Sequence, residues 1–149
     1  MLAVRMSFRD LDVLDLFAGF GTMGFEALSR GAASVCFVDR HPDAVRSLQS
    51  TAERFQVSGQ VRVVRSDVTA FLERPRGRFG LVFCDPPYTW PDYHALIEAI
   101  VNEEVLAGDG LLLVEHCTSL GFQDLSRYLM HRDYGMTRVT FFQQEDASL

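Results

Sequence analysis

Apolar residues fall along this chain in short runs, separated by stretches in which they recur every three or four positions. Val13-Leu14-Asp15-Leu16-Phe17 is a strand-length run ending at Ala18-Gly19, after which Met23, Ala27 and Leu28 keep helical spacing until Gly31. Ser34 to Val38 predicts a second strand closed by Asp39, and Pro42 opens a helix carrying Ala44, Val45, Leu48, Ala52 and Phe55. Val61 to Val64 predicts a third strand, Val68 to Leu72 a short helix and Phe79 to Cys84 a fourth strand. Tyr93 to Leu106 then predicts a helix, and Gly110 to Glu115 a fifth strand.

Strands alternating with helices at these intervals imply right-handed crossovers and a parallel sheet covered on both faces. The pattern changes after Gln123. His131-Arg132-Asp133-Tyr134-Gly135 leads into Val139-Thr140-Phe141-Phe142 around a glycine, which predicts an antiparallel hairpin closing the sheet. In open α/β sheets ligands sit at the carboxyl ends of the strands. The segments after Phe17, Val38, Arg65, Cys84 and Glu115 are therefore the ones to search for chemistry.

Composition adds limits to this picture. A chain of 149 residues is the size of one α/β domain, here residues 1–149, without room for a separate substrate domain. Cys36, Cys84 and Cys117 are odd in number, far apart and beside apolar runs, so they read as buried free thiols of a reducing cytosol. No apolar run reaches the ~20 residues of a membrane span, and no signal segment is visible, so the expectation is a soluble cytoplasmic protein. The formal net charge of −6 gives no general attraction for nucleic-acid phosphates.

Gly19-Phe20-Gly21-Thr22-Met23-Gly24 is a G-x-G-x-x-G turn between a strand and a helix, and Asp39 follows Gly19 by twenty residues at the end of the second strand. That spacing suits a ribose held by the Asp39 carboxylate, with backbone approaching the ligand at the glycines. A dinucleotide is disfavoured by Asp15, whose charge would repel a pyrophosphate and attract a sulfonium or an ammonium. The plainer alternative is a tight turn with Asp39 as a solvated strand end. Asp67 reaches the same rim, either as an acceptor for an adenine amino group or, like Ser66, as a helix cap.

Asp85-Pro86-Pro87-Tyr88 closes the fourth strand. An amino group conjugated to a base ring is a poor nucleophile, and acceptors on its N–H groups help it pyramidalise for attack on a methyl sulfonium. Asp85 supplies a carboxylate acceptor and Pro86 a carbonyl, in a loop the two prolines hold extended. Tyr88 can stack on the base, which would be turned out of its helix to enter. Trp90, Tyr93 and His94 could shape the wall, although packing under the next helix is the simpler account of Trp90 and Tyr93. Arg74-Pro75-Arg76-Gly77-Arg78 precedes the fourth strand, at the edge away from this rim, and reads as a solvated loop. His116 and Cys117 lack zinc spacing and read as polar rim, so no metal is expected.

Together, the first strand with its glycine turn, the helix Gly24-Phe25-Glu26-Ala27-Leu28-Ser29-Arg30-Gly31-Ala32, Asp85-Pro86-Pro87-Tyr88 and Tyr134-Gly135 resemble the RsmD-like family of class I methyltransferases. The resemblance covers nearly the whole chain. It implies a Rossmann-like seven-stranded sheet, order 3-2-1-4-5-7-6, with strand 7 antiparallel and helices on both faces. It implies S-adenosyl-L-methionine as cofactor, held by Asp15, Phe17, Gly19, Gly21, Asp39, Asp67 and Asp85, with Arg40 and Val68 beside them. Asp85, Pro86, Pro87 and Tyr88 become the catalytic set, and the implied substrate is the N2 amino group of guanine in small-subunit ribosomal RNA. Family members normally carry a basic hairpin and a helix before the first strand, where this sequence has only Met1 to Leu11. Phe20 also stands where a small residue is usual and is expected to tighten the turn. A methyltransferase acting on a protein amide or a small molecule, or a non-catalytic cofactor-binding subunit, are the competing readings.

Overall fold

The computed structural model describes residues 7–102 and 104–145. Its strands are β1 (Asp12–Leu16), β2 (Ser34–Asp39), β3 (Val61–Arg65), β4 (Phe79–Cys84), β5 (Leu106–Cys117), β6 (Tyr128–Tyr134) and β7 (Thr137–Gln143). The helices are α1 (Thr22–Ser29), α2 (Pro42–Arg54), α3 (Val68–Glu73) and α4 (Tyr93–Ile100). One sheet contains all seven strands in the order β3-β2-β1-β4-β5-β7-β6. β1 to β5 run parallel, and β7 is antiparallel to both β5 and β6. Expected order and reversed strand are both present.

Period-two alternation assigns the side chains to two cores. Leu14, Leu16, Val82, Cys84, Leu112 and Val114 pack with α3 and α4 through Val68, Phe71, Leu96 and Ile97. Val13, Val35, Phe37, Leu81, Phe83 and Leu113 form the other face, with Ala27 of α1 and Leu48 of α2. Asp15 shares the parity of Val13 and so belongs to the α1 face. α1 can approach β2 because Gly24 has no side chain: a Cβ there would lie 2.3 Å from Phe37 Cε1.

The expected fourth helix is shorter than its apolar spacing suggests. It ends at Ile100 because Asn102 offers the chain a turn instead, its amide donating to the Ala99 carbonyl and its side-chain oxygen accepting from Glu104 N–H. β5 begins earlier than expected, at Leu106, and its pairing to β4 slips between Phe79 and Leu81 around Asp109, which has φ +62°. The expected hairpin is β6–β7, turning at Gly135, and it brings its tip to the end of β5, where Cys117 faces Thr137. Cys36 and Cys84 are buried, whereas Cys117 is only half-buried. Among the described residues no helix is long and apolar enough to cross a membrane. Met1 to Met6, the greater part of the segment before the first strand, lie outside the described residues.

Gly24→Ala should lower stability by about 1–3 kcal/mol through overpacking against Phe37. Denaturant melts would show it, and Phe37→Leu in the same background should recover part of the loss.

Candidate functional site

Four carboxylates gather at the carboxyl ends of β1, β2, β4 and β5: Asp15, Asp39, Asp85 and Glu115. Two of them hold the glycine turn. Asp39, 7% exposed, accepts Gly19 N–H at 2.9 Å through one oxygen and His41 N–H at 2.9 Å through the other. Asp15, 5% exposed, accepts Gly24 N–H at 3.1 Å. The turn is thus pinned at its start to β2 and at its end to β1. Its backbone is unusual throughout, with φ of +57° at Phe17, +56° at Gly19 and +78° at Gly21. For a bulky residue such as Phe17 that conformation costs about 1–3 kcal/mol, a strain that concentrates at functional sites. It directs the ring to an edge-on contact with Trp90, with centroids 5.1 Å apart.

Two cavities flank this rim. The first, about 830 Å³, is walled by Phe17, Asp39, Arg40, Asp67, Val68, Asp85, Pro87 and Trp90 together with further residues of α3 and the loop after β4. The second, about 270 Å³, has an apolar floor of Phe83, Leu113 and Val139 and a polar edge of Asp15, Asp85, Glu115, Tyr134 and Thr137. Asp85 borders both.

Six of the nine expected cofactor residues therefore share the first cavity: Phe17, Asp39, Arg40, Asp67, Val68 and Asp85. Asp15 lies in the second, and Gly19 and Gly21 line neither. Gly21 instead lies tight under Leu48 and Phe25, whose side chains a Cβ there would displace. Phe20 does not crowd the turn; it points outward, 81% exposed. Asp67 stands at the N-cap of α3 but makes no side-chain capping bond, and the Ser66 hydroxyl donates to the Asp67 carbonyl rather than capping the helix. The Asp67 carboxylate is left to the cavity.

Of the expected catalytic loop, Asp85 and Pro87 are at the cavity walls, Pro86 is buried behind them, and Tyr88 projects from the rim, 77% exposed. Residues 87–90 form a tight turn in which Pro87 carbonyl accepts Trp90 N–H at 2.9 Å, and Tyr93 Oη donates to that carbonyl at 3.5 Å. Tyr93 is core, as packing alone suggested, but Trp90 is half-buried in the cavity wall. His94 faces Asp124 at 3.4 Å, away from both cavities. His116 is not a polar rim residue. It is buried, with Nδ1–H placed to donate to Cys117 carbonyl and Nε2 to accept from Thr140 Oγ1, and burial lowers its pKa. Among the described residues no group of His, Cys, Asp or Glu could hold a metal ion. The arginine run lies at the opposite end of the sheet, with Arg76 carbonyl accepting from Arg62.

Glu115, Tyr134, Thr137 and Met23 were not singled out individually as site residues, and they shape the second cavity. Position at the end of β5 was the available signal for Glu115. Nothing local marks Met23 or Thr137, which arrive from α1 and from the reversed strand.

Around the second cavity the rim gathers Asp15, Asp85 and Glu115 with no Lys or Arg among its described lining residues. Burial pushes the Asp15 carboxyl up to about 8, its bond from Gly24 N–H offsets part of that, and the charges of Asp85 and Asp39 push it further. Burial and then the neighbouring Glu115 raise Asp85 to about 6. The arrangement suits a cationic ligand, or one rich in N–H donors.

A profile of the family described as Conserved hypothetical protein 95 matches residues 2–143. Bacillus subtilis YlbH, whose name assigns it provisionally as an rRNA methyltransferase, is 33% identical over 137 residues, 88% of this chain and 74% of that protein. Ribosomal RNA small subunit methyltransferase D of Escherichia coli strain K12 is 29% identical over 91% of this chain and 70% of its own length. A conserved hypothetical protein of Streptococcus pyogenes has a solved structure with TM-score 0.84 and 28% identity, covering 92% of this chain and 88% of that one.

A carboxyl whose folded pKa is raised stabilises the fold fully below its unfolded value, and that contribution is lost as pH rises through the folded one. For Asp15 the window runs from about 4 to about 8. The ligand-free protein should therefore lose stability across that range in denaturant melts, and Asp15→Asn should flatten the slope.

Proposed function

The chain belongs to the Conserved hypothetical protein 95 family, and from that premise we propose that it is a cytoplasmic S-adenosylmethionine-dependent methyltransferase acting on the N2 amino group of guanine in small-subunit ribosomal RNA. The observation that carries this reading is the position of Asp85, which borders both the larger cavity and the smaller one. A methyl donor in the first and a base in the second would meet at that carboxylate. The names of the relatives support ribosomal RNA as the acceptor.

The residues of the first cavity fit the cofactor. Each oxygen of the Asp39 carboxylate already accepts one amide, and a carboxylate has about four lone-pair sites, so acceptors remain for ribose hydroxyls. Asp67, uncommitted to its helix, can accept from an adenine amino group. Phe17 and Trp90 give aromatic surface in the same wall. When bound, S-adenosylmethionine supplies a methyl group already activated by a positive sulfur.

What remains for the protein is orientation and electrostatic placement. Asp85 accepts from one N–H of the amino group and takes up its proton as the new N–C bond forms and the C–S bond breaks. The Pro86 carbonyl is the second acceptor, since that of Pro87 is held within its turn by Trp90 N–H and Tyr93 Oη. Tyr88, exposed at the rim, stacks on the incoming base.

Purified protein with labelled S-adenosylmethionine should methylate small-subunit ribosomal RNA in preference to protein or small-amine acceptors. No incorporation into RNA, with the cofactor still bound, rejects the RNA reading. Asp85→Ala should lower kcat/KM by about 100-fold or more. Because the carboxylate form is the acceptor, kcat/KM should fall as pH drops below about 6, the position to which Asp85 is raised. Asp85→Asn, which keeps an oxygen acceptor that does not titrate, should lose that acid limb.

A further inference from the structure

The second cavity has a distinctive polar edge. Its floor of Phe83, Leu113 and Val139 suits the face of a planar ring, and its volume of about 270 Å³ suits a single base rather than a nucleotide. Asp15, Asp85 and Glu115 line it, and among the described residues its wall contains no Arg or His. The pairing of Cys84 with Val114 puts Asp85 and Glu115 at the next position of adjacent parallel strands, which run about 4.8 Å apart. Their shared parity with Phe83 and Leu113 turns both toward the same face, and Glu115 is the charge that acts on Asp85 after burial. Asp15 is already tied to Gly24 N–H, which leaves Asp85 and Glu115 as the paired acceptors at the mouth.

Two acceptors side by side require two donors side by side. The pairing edge of guanine offers them, the ring N1–H next to the N2 amino group. Adenine and cytosine place a ring nitrogen lone pair beside their amino group, and that lone pair would face a carboxylate with no hydrogen between. A site built to bond a substrate N–H rejects an analogue that lacks it far more strongly than a pocket sorts by size.

We propose that Glu115 is the base-selecting residue of this site, accepting the N1–H of guanine while Asp85 accepts from the N2 amino group. The inference rests on the function proposed above and adds to it a residue that sets specificity. Glu115 lies at the exposed mouth of the cavity, so its replacement does not disturb the core. Beside Asp85 and Glu115 lie the ionisable groups of Asp15 from β1, Cys84 on β4, Tyr93 from α4 and Tyr134 from β6.

The test compares wild type with Glu115→Ala on small-subunit ribosomal RNA, with nucleoside digestion and mass analysis of the methylated product. Wild type should form N2-methylguanosine. Glu115→Ala, which removes both the acceptor and the charge, should lower kcat/KM for RNA by at least about 100-fold while binding S-adenosylmethionine as tightly as wild type. Its acid limb should also move to lower pH, because Asp85 loses the like charge of its neighbour. Equal formation of N2-methylguanosine by both proteins overturns the role of Glu115 and leaves the function standing. Loss of activity with an unmoved acid limb overturns it as well. A wild-type product methylated on adenine or cytosine overturns the selection of guanine while leaving an RNA N-methyltransferase. No incorporation into RNA by wild type overturns both.

Discussion

Two buried carboxylates grip the glycine turn, Asp15 through Gly24 N–H and Asp39 through Gly19 N–H, and the rest of the rim depends on that grip. The turn carries a non-glycine residue, Phe17, at positive φ, a conformation that persists only where its surroundings determine it. Both acceptors are nearly sealed from water, where a hydrogen bond is electrostatically stronger than in solvent. With the turn held between β1 and β2, Phe17 meets Trp90, and the wall of the larger cavity closes across the strand ends of β1 and β4.

The same carboxylates make the rim electrostatically incomplete. Asp15 is raised by burial and by its like-charged neighbours, and Asp85 by burial and Glu115, in a chain whose net charge is −6. Such a site does not attract phosphate, and the concentrated arginines of residues 74–78 lie at the other end of the sheet. It favours a positive sulfur on one side of Asp85 and N–H donors on the other, the charge pattern that transfer of a methyl cation to an amino nitrogen requires. The acidic net charge, which argues against RNA when treated as a single number, is concentrated in part where it serves the reacting groups.

Much of the fold was legible because period and punctuation agreed with the packing. Val13 to Phe17, Ser34 to Asp39 and Phe79 to Cys84 are apolar runs with turn residues at their ends, and each is a central strand buried on both faces. Reading failed where local signals competed. The apolar spacing from Tyr93 to Leu106 continues past the helix, and only the side-chain bonds of Asn102 show that the backbone turns there. His116 looked like rim from its place at a strand end, yet the packing of Phe122 and Thr140 buries it.

The sequence by itself determined which backbone positions can bend and which strand ends carry acceptors. Glycines, prolines and the aspartates after β-branched runs act through neighbours a few bonds away, so Asp15, Asp39, Asp67 and Asp85 were recognisable as a set. Tertiary structure alone decided how that set divides. It gave Asp39 and Asp15 to the turn as well as to the cavities, excluded Gly19 and Gly21 from the cavity walls, moved Trp90 into one, and joined Glu115 to Asp85. The physical reason is that a cavity is a property of several strands at once. Register between β4 and β5 and the reversal of β7 set its edges, and strand register is specified by pairing at long range rather than by any residue's own neighbours.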